Sequence, residues 1–263
     1  MGAFLLFLLA CSIVFLLSLT GKVGMGFQVP GISRPLPKKY KPILREHFPF
    51  YNKLSDHDKH LFERKMQYFI HYKEFIPRKI DRVTDEMKVL ISACAVQLTF
   101  GLPKVVLSHF KRILIYPDDY YSTITRAYHR GEVNPRMQAI VLSWKHFVLG
   151  YIDESDGINL GLHEMAHAIR LENKITNNEH SFFDAETLQL WHKLAEMEIE
   201  RIGNGESRMF RDYAGTDHDE FFAIAVENFF EKPEEFRELM PNIYEVMTRL
   251  LRQDPYKLTH PVL

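Results

Sequence analysis

His163, Glu164 and His167 form the pattern His-Glu-Met-Ala-His, in which two histidines stand four residues apart. On a helix this spacing places both imidazoles on one face, about one turn apart, where they can bind one metal ion. The glutamate beside the first histidine then lies close to a metal-bound water and can accept its proton. The pattern therefore predicts a metal site suited to hydrolysis.

The residues around this pattern favour a buried helix. The alternative is a solvated helix face that carries two histidines by chance. Apolar residues cover nearly every side of the helix: Ile158, Leu160, Leu162, Met165, Ala166, Ala168 and Ile169. Buried histidines and a buried glutamate need polar partners, since an unpaired polar group inside a protein costs free energy. One metal ion would satisfy all three side chains.

A third metal ligand is expected on a later helix, within His-Asp-Glu-Phe-Phe-Ala-Ile-Ala-Val-Glu-Asn-Phe-Phe. Its Glu220 and Glu227 share one stripe of an otherwise apolar helix. Either could be a partly exposed residue, but a carboxylate among apolar residues is costly unless paired or metal-bound. Hydrolytic zinc sites commonly take two histidines, one glutamate and a water. We therefore expect Glu220 as the third ligand, with Asp219 and His218 as local alternatives. Glu227 is expected to support the ligands.

The order of the expected helices and strands predicts an α+β fold that is mostly helical with a small sheet. An N-terminal apolar helix is expected to precede it. Ser55 and Thr84 are N-cap signals for two early helices. The expected elements are helices ending at Pro77 and covering 87–100, strands at 112–116 and 138–144, the metal helix, and helices at 184–201 and after Thr216 or Asp217. The strand at 139–144 either offers a free edge to a peptide substrate or is a plain core strand.

The composition of the chain excludes some classes of protein. Lys and Arg number 33 against 34 Asp and Glu, and no basic patch stands out, which argues against a nucleic-acid partner. Only Cys11 and Cys94 occur, so a disulfide framework is excluded. Cys94 is expected to be a core residue rather than a nucleophile.

An apolar run over residues 3–19 suggests a membrane segment. Its length is at the lower limit for a spanning helix, and the first cations follow it. We expect residues 1–20 to be a membrane anchor or an uncleaved signal, 21–40 a linker, and 41–263 the catalytic domain. The catalytic domain is then expected in the cytoplasm, with a soluble or exported protein as the alternatives.

Several segments resemble the MtfA (Mlc titration factor A) family of zinc-dependent peptidases. They are LREHFPFYNKLSDHD, VTDEMKVLISACAVQLTFGL, VLSW, INLGLHEMAHAI and DYAGTDHDEFFAIAVENFFEKP. The resemblance runs from about Pro42 to Pro255, and the ordered set is far more specific than the histidine pattern alone.

This resemblance implies a gluzincin-like α+β fold that binds zinc. His163, His167 and Glu220 would hold the zinc, and Glu164 would be the general base. Zinc is the default metal for this ligand set, with cobalt as a neighbouring choice.

Two further residues are implied by the resemblance. Tyr213, in the segment DYAGTDHDE, matches a tyrosine that can stabilise an oxyanion. His129, in AYHRGEV, is the nearest match to an upstream histidine that reaches the metal in a closed state of some family structures. A bound His129 would close the water position.

The sequence is compatible with three functions. The first is a zinc-dependent peptidase, either an aminopeptidase or an endopeptidase, that acts on a peptide or protein substrate with Glu164 as the general base. The second is a regulatory binding module that sequesters a protein partner, with its zinc structural or auto-inhibited. A structural zinc site usually fills its fourth position with a protein ligand and needs no glutamate beside the first histidine, so Glu164 favours the enzyme. The third is a metal-dependent hydrolase of non-peptide substrates at the same site.

Overall fold

The structure is a computed structural model that describes residues 35–103, 106–122, 126–153, 155–175 and 182–259. Residues Pro35–Leu263 belong to one compact unit. It is mostly helical with a small sheet, as predicted. The expected N-terminal apolar helix lies outside the described residues, so the structure gives it no support.

Eleven helices are present in the described part of the chain. They are α1 (Tyr40–His47), α2 (Pro49–Lys53), α3 (Asp56–Tyr72), α4 (Asp85–Thr99), α5 (Trp144–Ile152), α6 (Leu160–Ile175), α7 (Ala185–Gly203), α8 (His218–Glu231), α9 (Pro233–Leu239), α10 (Pro241–Leu251) and α11 (Pro255–Thr259). Ser55 caps α3 and Thr84 caps α4, as predicted. Asp217, rather than Thr216, caps α8, since its side chain accepts hydrogen bonds from the first-turn amides of that helix.

A four-stranded sheet and a separate two-stranded ribbon complete the described fold. The strands are β1 (Glu74–Pro77), β2 (Arg112–Tyr116), β3 (Tyr120–Ser122), β4 (Ala127–His129), β5 (Gly131–Asn134) and β6 (Ala139–Ser143). The sheet order is β1-β2-β6-β5, and β3 pairs with β4 in the ribbon. Strands β1, β2 and β6 are parallel, whereas β5 runs antiparallel to β6.

Of the two alternatives for the strand at 139–144, the structure shows the plain core strand and not the free edge. β6 lies between β2 and β5, and all five of its residues are buried. A strand buried on both faces in this way belongs to the interior of a sheet. The edge of the sheet on this side is β5 instead.

Helix α4 is the centre of the core, with twelve of its fifteen residues buried. Its Cys94 is a core residue with no exposed surface, and this burial raises the pKa of the thiol to about 12. Helix α6 packs against α4, α8, β5 and β6. Gly161 allows the close approach at its start, since a Cβ there would come within 2.6 Å of the Phe147 ring and 3.0 Å of the Cys94 sulfur. These contacts fix the helix that carries the two histidines.

The expected membrane location is corrected by the structure. Within the described residues, no helix combines the length and the apolar character needed to cross a membrane. The prediction of a membrane-anchored protein is therefore not supported. That prediction rested on residues 3–19, which lie outside the described part of the chain.

Candidate metal centre

Helix α6 presents its two histidines side by side, and α8 brings a carboxylate to them. The Nε2 atoms of His163 and His167 lie 3.1 Å apart. From Glu220, Oε2 lies 3.3 Å from Nε2 of His163, and Oε1 lies 3.4 Å from Nε2 of His167. All three side chains are mostly shielded from solvent. The structure thus brings together the three residues expected as metal ligands.

The spacing of these atoms fits a single tetrahedral ion. With metal–ligand bonds of about 2.0–2.1 Å, two ligands of such an ion are about 3.3 Å apart. The three separations here are 3.1, 3.3 and 3.4 Å. In addition, Oε2 of Glu220 is shielded from solvent and accepts no hydrogen bond of acceptable geometry. Burial alone would raise the pKa of Glu220, but His163 and His167 hold it well below its usual range.

The two local alternatives to Glu220 have other partners. Asp219 Oδ1 accepts a hydrogen bond from Nη2 of Arg170 at 2.9 Å, and Oδ2 accepts one from Nζ of Lys174 at 2.9 Å. The ring of His218 is exposed and lies 6.0 Å from that of His192. Neither residue joins the cluster of potential ligands that the described residues form with His163.

Glu227 contacts His163 on the ring nitrogen that faces away from the other ligands. Its Oε1 lies 2.7 Å from Nδ1 of His163 and accepts a hydrogen bond from Nη2 of Arg211 at 3.0 Å. Its Oε2 accepts the backbone N–H of Asn159 at 2.7 Å. A carboxylate that binds the Nδ1 proton of a histidine leaves Nε2 free to bind metal and fixes the ring. Glu227 therefore orients His163 toward the cluster.

Sequence reasoning missed Arg211 and Asn159. Asn159 had a signal, because an asparagine directly before an apolar helical run is an N-cap candidate. Its Oδ1 indeed accepts the N–H of Leu162 at 3.0 Å. Arg211 lies in a segment before α8 with no pattern that points to Glu227. Only the folded chain reveals that contact.

Glu164 is buried beside the two histidines, with 5% of its surface exposed. Burial raises the pKa of its carboxyl to about 7, although His163 and His167 pull in the opposite direction. Gly131, at the start of β5, gives this carboxylate its room. A Cβ at position 131 would lie 2.3 Å from Oε1 of Glu164, closer than atoms can approach. No sequence pattern predicts this contact.

The structure places Tyr213 near the cluster and does not bring His129 into it. Tyr213 lies in a 3-10 helix, Asp212–Gly215, and is 54% exposed. Burial raises the pKa of its hydroxyl, and the negative charge of the nearby Glu220 carboxylate raises it further. His129 lies on β4, where it pairs with Tyr120 of β3. Among the described residues, the cluster with His163 does not include it.

Comparison with known proteins places the chain in a family. The sequence model of the glucose-regulated metallo-peptidase M90 family matches residues 31–252, which is most of the chain. The chain belongs to the M90 family. Membership of this metallo-peptidase family implies a metal ion, and the cluster on α6 and α8 offers ligands for one.

Similar proteins confirm the resemblance to the Mlc titration factor A family. The protein of that name from Escherichia coli O7:K1 is 29% identical over 194 residues, covering 65% of this chain and 71% of the relative. Its counterpart from Pectobacterium atrosepticum is 25% identical over 229 residues, covering 79% and 83%. The Synechocystis sp. protein slr2042 is 27% identical over 237 residues, covering 84% and 86%.

Proposed function

We propose that this M90-family chain is a zinc-dependent peptidase whose catalytic domain spans residues 41–263. His163, His167 and Glu220 hold the zinc, and Glu164 is the general base. The observation that carries the proposal is the set of donor separations, 3.1 to 3.4 Å, with a buried glutamate alongside. Two imidazole nitrogens and one carboxylate suit zinc and leave a position for water.

Each residue around the cluster has a separate role in the proposed hydrolysis. Zinc, when bound, supplies a Lewis acid that polarises the scissile carbonyl and lowers the pKa of a water. Glu164 accepts the proton of the attacking water and later donates it to the leaving amine. Glu227 keeps His163 in the tautomer that a metal ligand needs. Tyr213, beside Glu220, donates a hydrogen bond to the developing oxyanion.

We propose that β5 binds the substrate as an added strand. Within the described residues, β5 pairs with β6 on one side only, so the backbone groups of its other side can bond an extended peptide. The strand begins at Gly131, directly beside Glu164. A peptide along this edge therefore passes the general base.

Gly131→Ala is expected to reduce turnover and to leave the zinc content unchanged. The added methyl group overlaps the Glu164 carboxylate and displaces it, while the metal ligands lie on other residues. A displacement of about 1 Å can cost about 100-fold in rate. The measurement is kcat/KM together with zinc stoichiometry. Gly203→Ala is the matched control, because a Cβ there meets nothing within 4 Å. Equal activity of both variants would contradict the assigned position of Glu164.

Aminopeptidase action is the finer part of the proposal, and Glu132 supports it. Glu132 lies on β5 and is half-buried. It directly follows Gly131, the residue that lies against the Glu164 carboxylate. Burial first, and then the negative charges of Glu220 and Glu132, raise the pKa of Glu164. Its Oε2 accepts a hydrogen bond from the Tyr120 hydroxyl at 3.4 Å, and its Oε1 accepts one from Asn134 at 3.1 Å. Such a carboxylate can bind the free α-amino group of a peptide.

Peptides with a free amino terminus should be cleaved faster than the same peptides with an acetylated one. In Glu132→Gln this preference should fall about tenfold, because one charge-assisted contact is lost. The ratio of the two kcat/KM values measures it. Glu74→Gln, an exposed glutamate on the opposite edge strand, is the control. Equal cleavage of both peptides by the unaltered chain would indicate an endopeptidase.

Metal removal tests the proposal as a whole. Dialysis against a chelator should abolish peptide cleavage, and one equivalent of zinc should restore it, because the three ligands form a single site. Metal analysis and a peptide panel before and after reconstitution provide the measurement. Full turnover by metal-free protein would rule out the zinc peptidase.

A second proposed function is binding of a protein regulator. It is favoured by the name Mlc titration factor A that two of the relatives carry. Binding of this kind needs a surface rather than a general base. It should therefore survive in Glu164→Gln, which separates it from peptide hydrolysis.

A further inference from the structure

Arg211 contacts the carboxylate that orients His163, and the proposed hydrolysis gives this arginine no role. Its Nη2 atom donates hydrogen bonds to both oxygens of Glu227, at 3.0 Å to Oε1 and at 3.3 Å to Oε2. Within the described residues, Arg211 is the only lysine or arginine that forms an ion pair with that carboxylate. Arg211 therefore lies one contact beyond the residue that supports a proposed metal ligand.

Each oxygen of Glu227 also has a second partner. Oε1 lies 2.7 Å from Nδ1 of His163, and Oε2 accepts the backbone N–H of Asn159 at 2.7 Å. In the part of the chain that the structure describes, Arg211 is the one partner that contacts both oxygens. Glu227 is buried, and a buried carboxylate that loses its cation is costly. Without Arg211, the carboxylate is expected to move toward water and away from His163.

The backbone of Arg211 is fixed on both sides by buried residues. Before it, the ring of Phe210 packs against Phe221 and Phe236, with ring centres 5.1 and 5.4 Å apart. After it, the N–H of the buried Ala214 donates a hydrogen bond to the carbonyl oxygen of Arg211 at 2.9 Å. The guanidinium therefore extends from a set position on the chain, unlike that of a mobile surface arginine.

We propose that Arg211 is a positioning residue of the metal centre. It holds Glu227, and through Glu227 it fixes the ring of His163, so that Nε2 of this ring faces the other two ligands. The inference rests on the proposed function, because it requires zinc at the three proposed ligands. Outer-shell partners of metal-bound histidines are commonly worth about 10–100-fold in metal affinity. Since Arg211 acts through Glu227, we expect its effect at the lower end of this range.

The loss of Arg211 has two opposed effects on zinc affinity. Loss of its positive charge leaves the surroundings more negative, which by itself favours a bound cation. Loss of its hydrogen bonds frees Glu227 and lets His163 turn, which disfavours the metal. The Arg211 side chain is 36% exposed, so water and salt screen its charge, whereas the carboxylate that it holds is buried. We therefore expect the effect on position to exceed the effect of charge.

Zinc affinity of the metal-free full chain tests this role without any need for turnover. Competition with a chelating dye should show about tenfold weaker zinc binding in Arg211→Gln than in the unaltered chain. Arg211→Lys should recover part of the loss, because the native contact uses one nitrogen and lysine offers one. Arg201→Gln is the matched control, since Arg201 pairs at 3.8 Å with another buried glutamate, Glu198, outside the cluster. Its zinc affinity should not change.

The visible spectrum of the cobalt-loaded chain gives a readout that a loss of stability does not move. The bands of cobalt(II) depend on the arrangement of the ligands around the ion. Arg211→Gln should change the bands, Arg211→Lys should change them less, and Arg201→Gln should leave them as they are. Far-UV circular dichroism verifies that each variant folds. If Arg211→Gln does not fold, Arg211→Met, which keeps the apolar stem, replaces it with the same expected results.

Equal or tighter zinc binding in Arg211→Gln, or an unchanged cobalt spectrum, would overturn the positioning role, and the proposed peptidase would stand. An equal loss of zinc affinity in Arg201→Gln would also overturn it, because the effect would then be one of general stability. Absence of zinc binding in the unaltered chain would overturn this inference together with the proposed function.

Discussion

Glu164→Gln should abolish peptide cleavage in a chain that still binds one zinc. The amide has the size of the carboxylate but cannot accept a proton, and a positioned general base is worth about 10²–10⁴-fold in rate. The proposed metal ligands are other residues, so the zinc content should not fall. Loss of a charge from a buried position, where the carboxyl pKa is raised to about 7, should leave the fold intact. Steady-state kinetics and metal analysis on the same sample measure both quantities.

Glu172→Gln is the matched control for this experiment. Glu172 is also buried on α6, but it accepts hydrogen bonds from Ser108 and His109 rather than facing the cluster. We expect this variant to retain cleavage even if its stability falls. Retained turnover in Glu164→Gln would falsify the hydrolase. Lost turnover with intact binding of a protein regulator would show that the two proposed functions coexist.

The parts of the site predicted from sequence are those that depend on local geometry. The helix period alone brings His163 and His167 to one face, whatever the remainder of the chain does. Glu220 and Glu227 were predicted as partners because carboxylates inside an apolar helix demand them. The caps at Ser55 and Thr84 follow from hydrogen bonds within a few residues.

The parts that were missed depend on contacts between distant segments. Strand β5 has only four residues and no apolar alternation, so its pairing with β6 could not be predicted. The clearance that Gly131 gives to Glu164 depends on that pairing. The salt bridge between Arg211 and Glu227 depends on the path of the chain before α8. Such contacts are set by tertiary packing, which sequence periodicity does not encode.

The choice of Glu220 over Asp219 as the third ligand gives the second prediction of large effect. Glu220→Ala should weaken zinc binding by more than about 100-fold, which exceeds the effect expected for an outer-shell residue. Two of the three proposed ligands remain in that variant, and the third is lost. Zinc stoichiometry after dialysis and competition with a chelating dye measure the change. Glu220→Gln keeps the packing of α8 and should also weaken zinc binding. This second variant shows that the loss of zinc does not come from a folding defect.

Asp219→Ala should leave zinc binding unchanged, because the Asp219 carboxylate pairs with Arg170 and Lys174 and not with the histidines. Arg170 is only 5% exposed and one of its nitrogens, Nη1, already lacks a partner. Removal of Asp219 leaves this buried cation without its carboxylate, so the melting temperature should fall. The zinc content should stay at one equivalent. Zinc lost from Asp219→Ala and retained in Glu220→Ala would exchange the roles of the two residues, and the proposed ligand set would have to change.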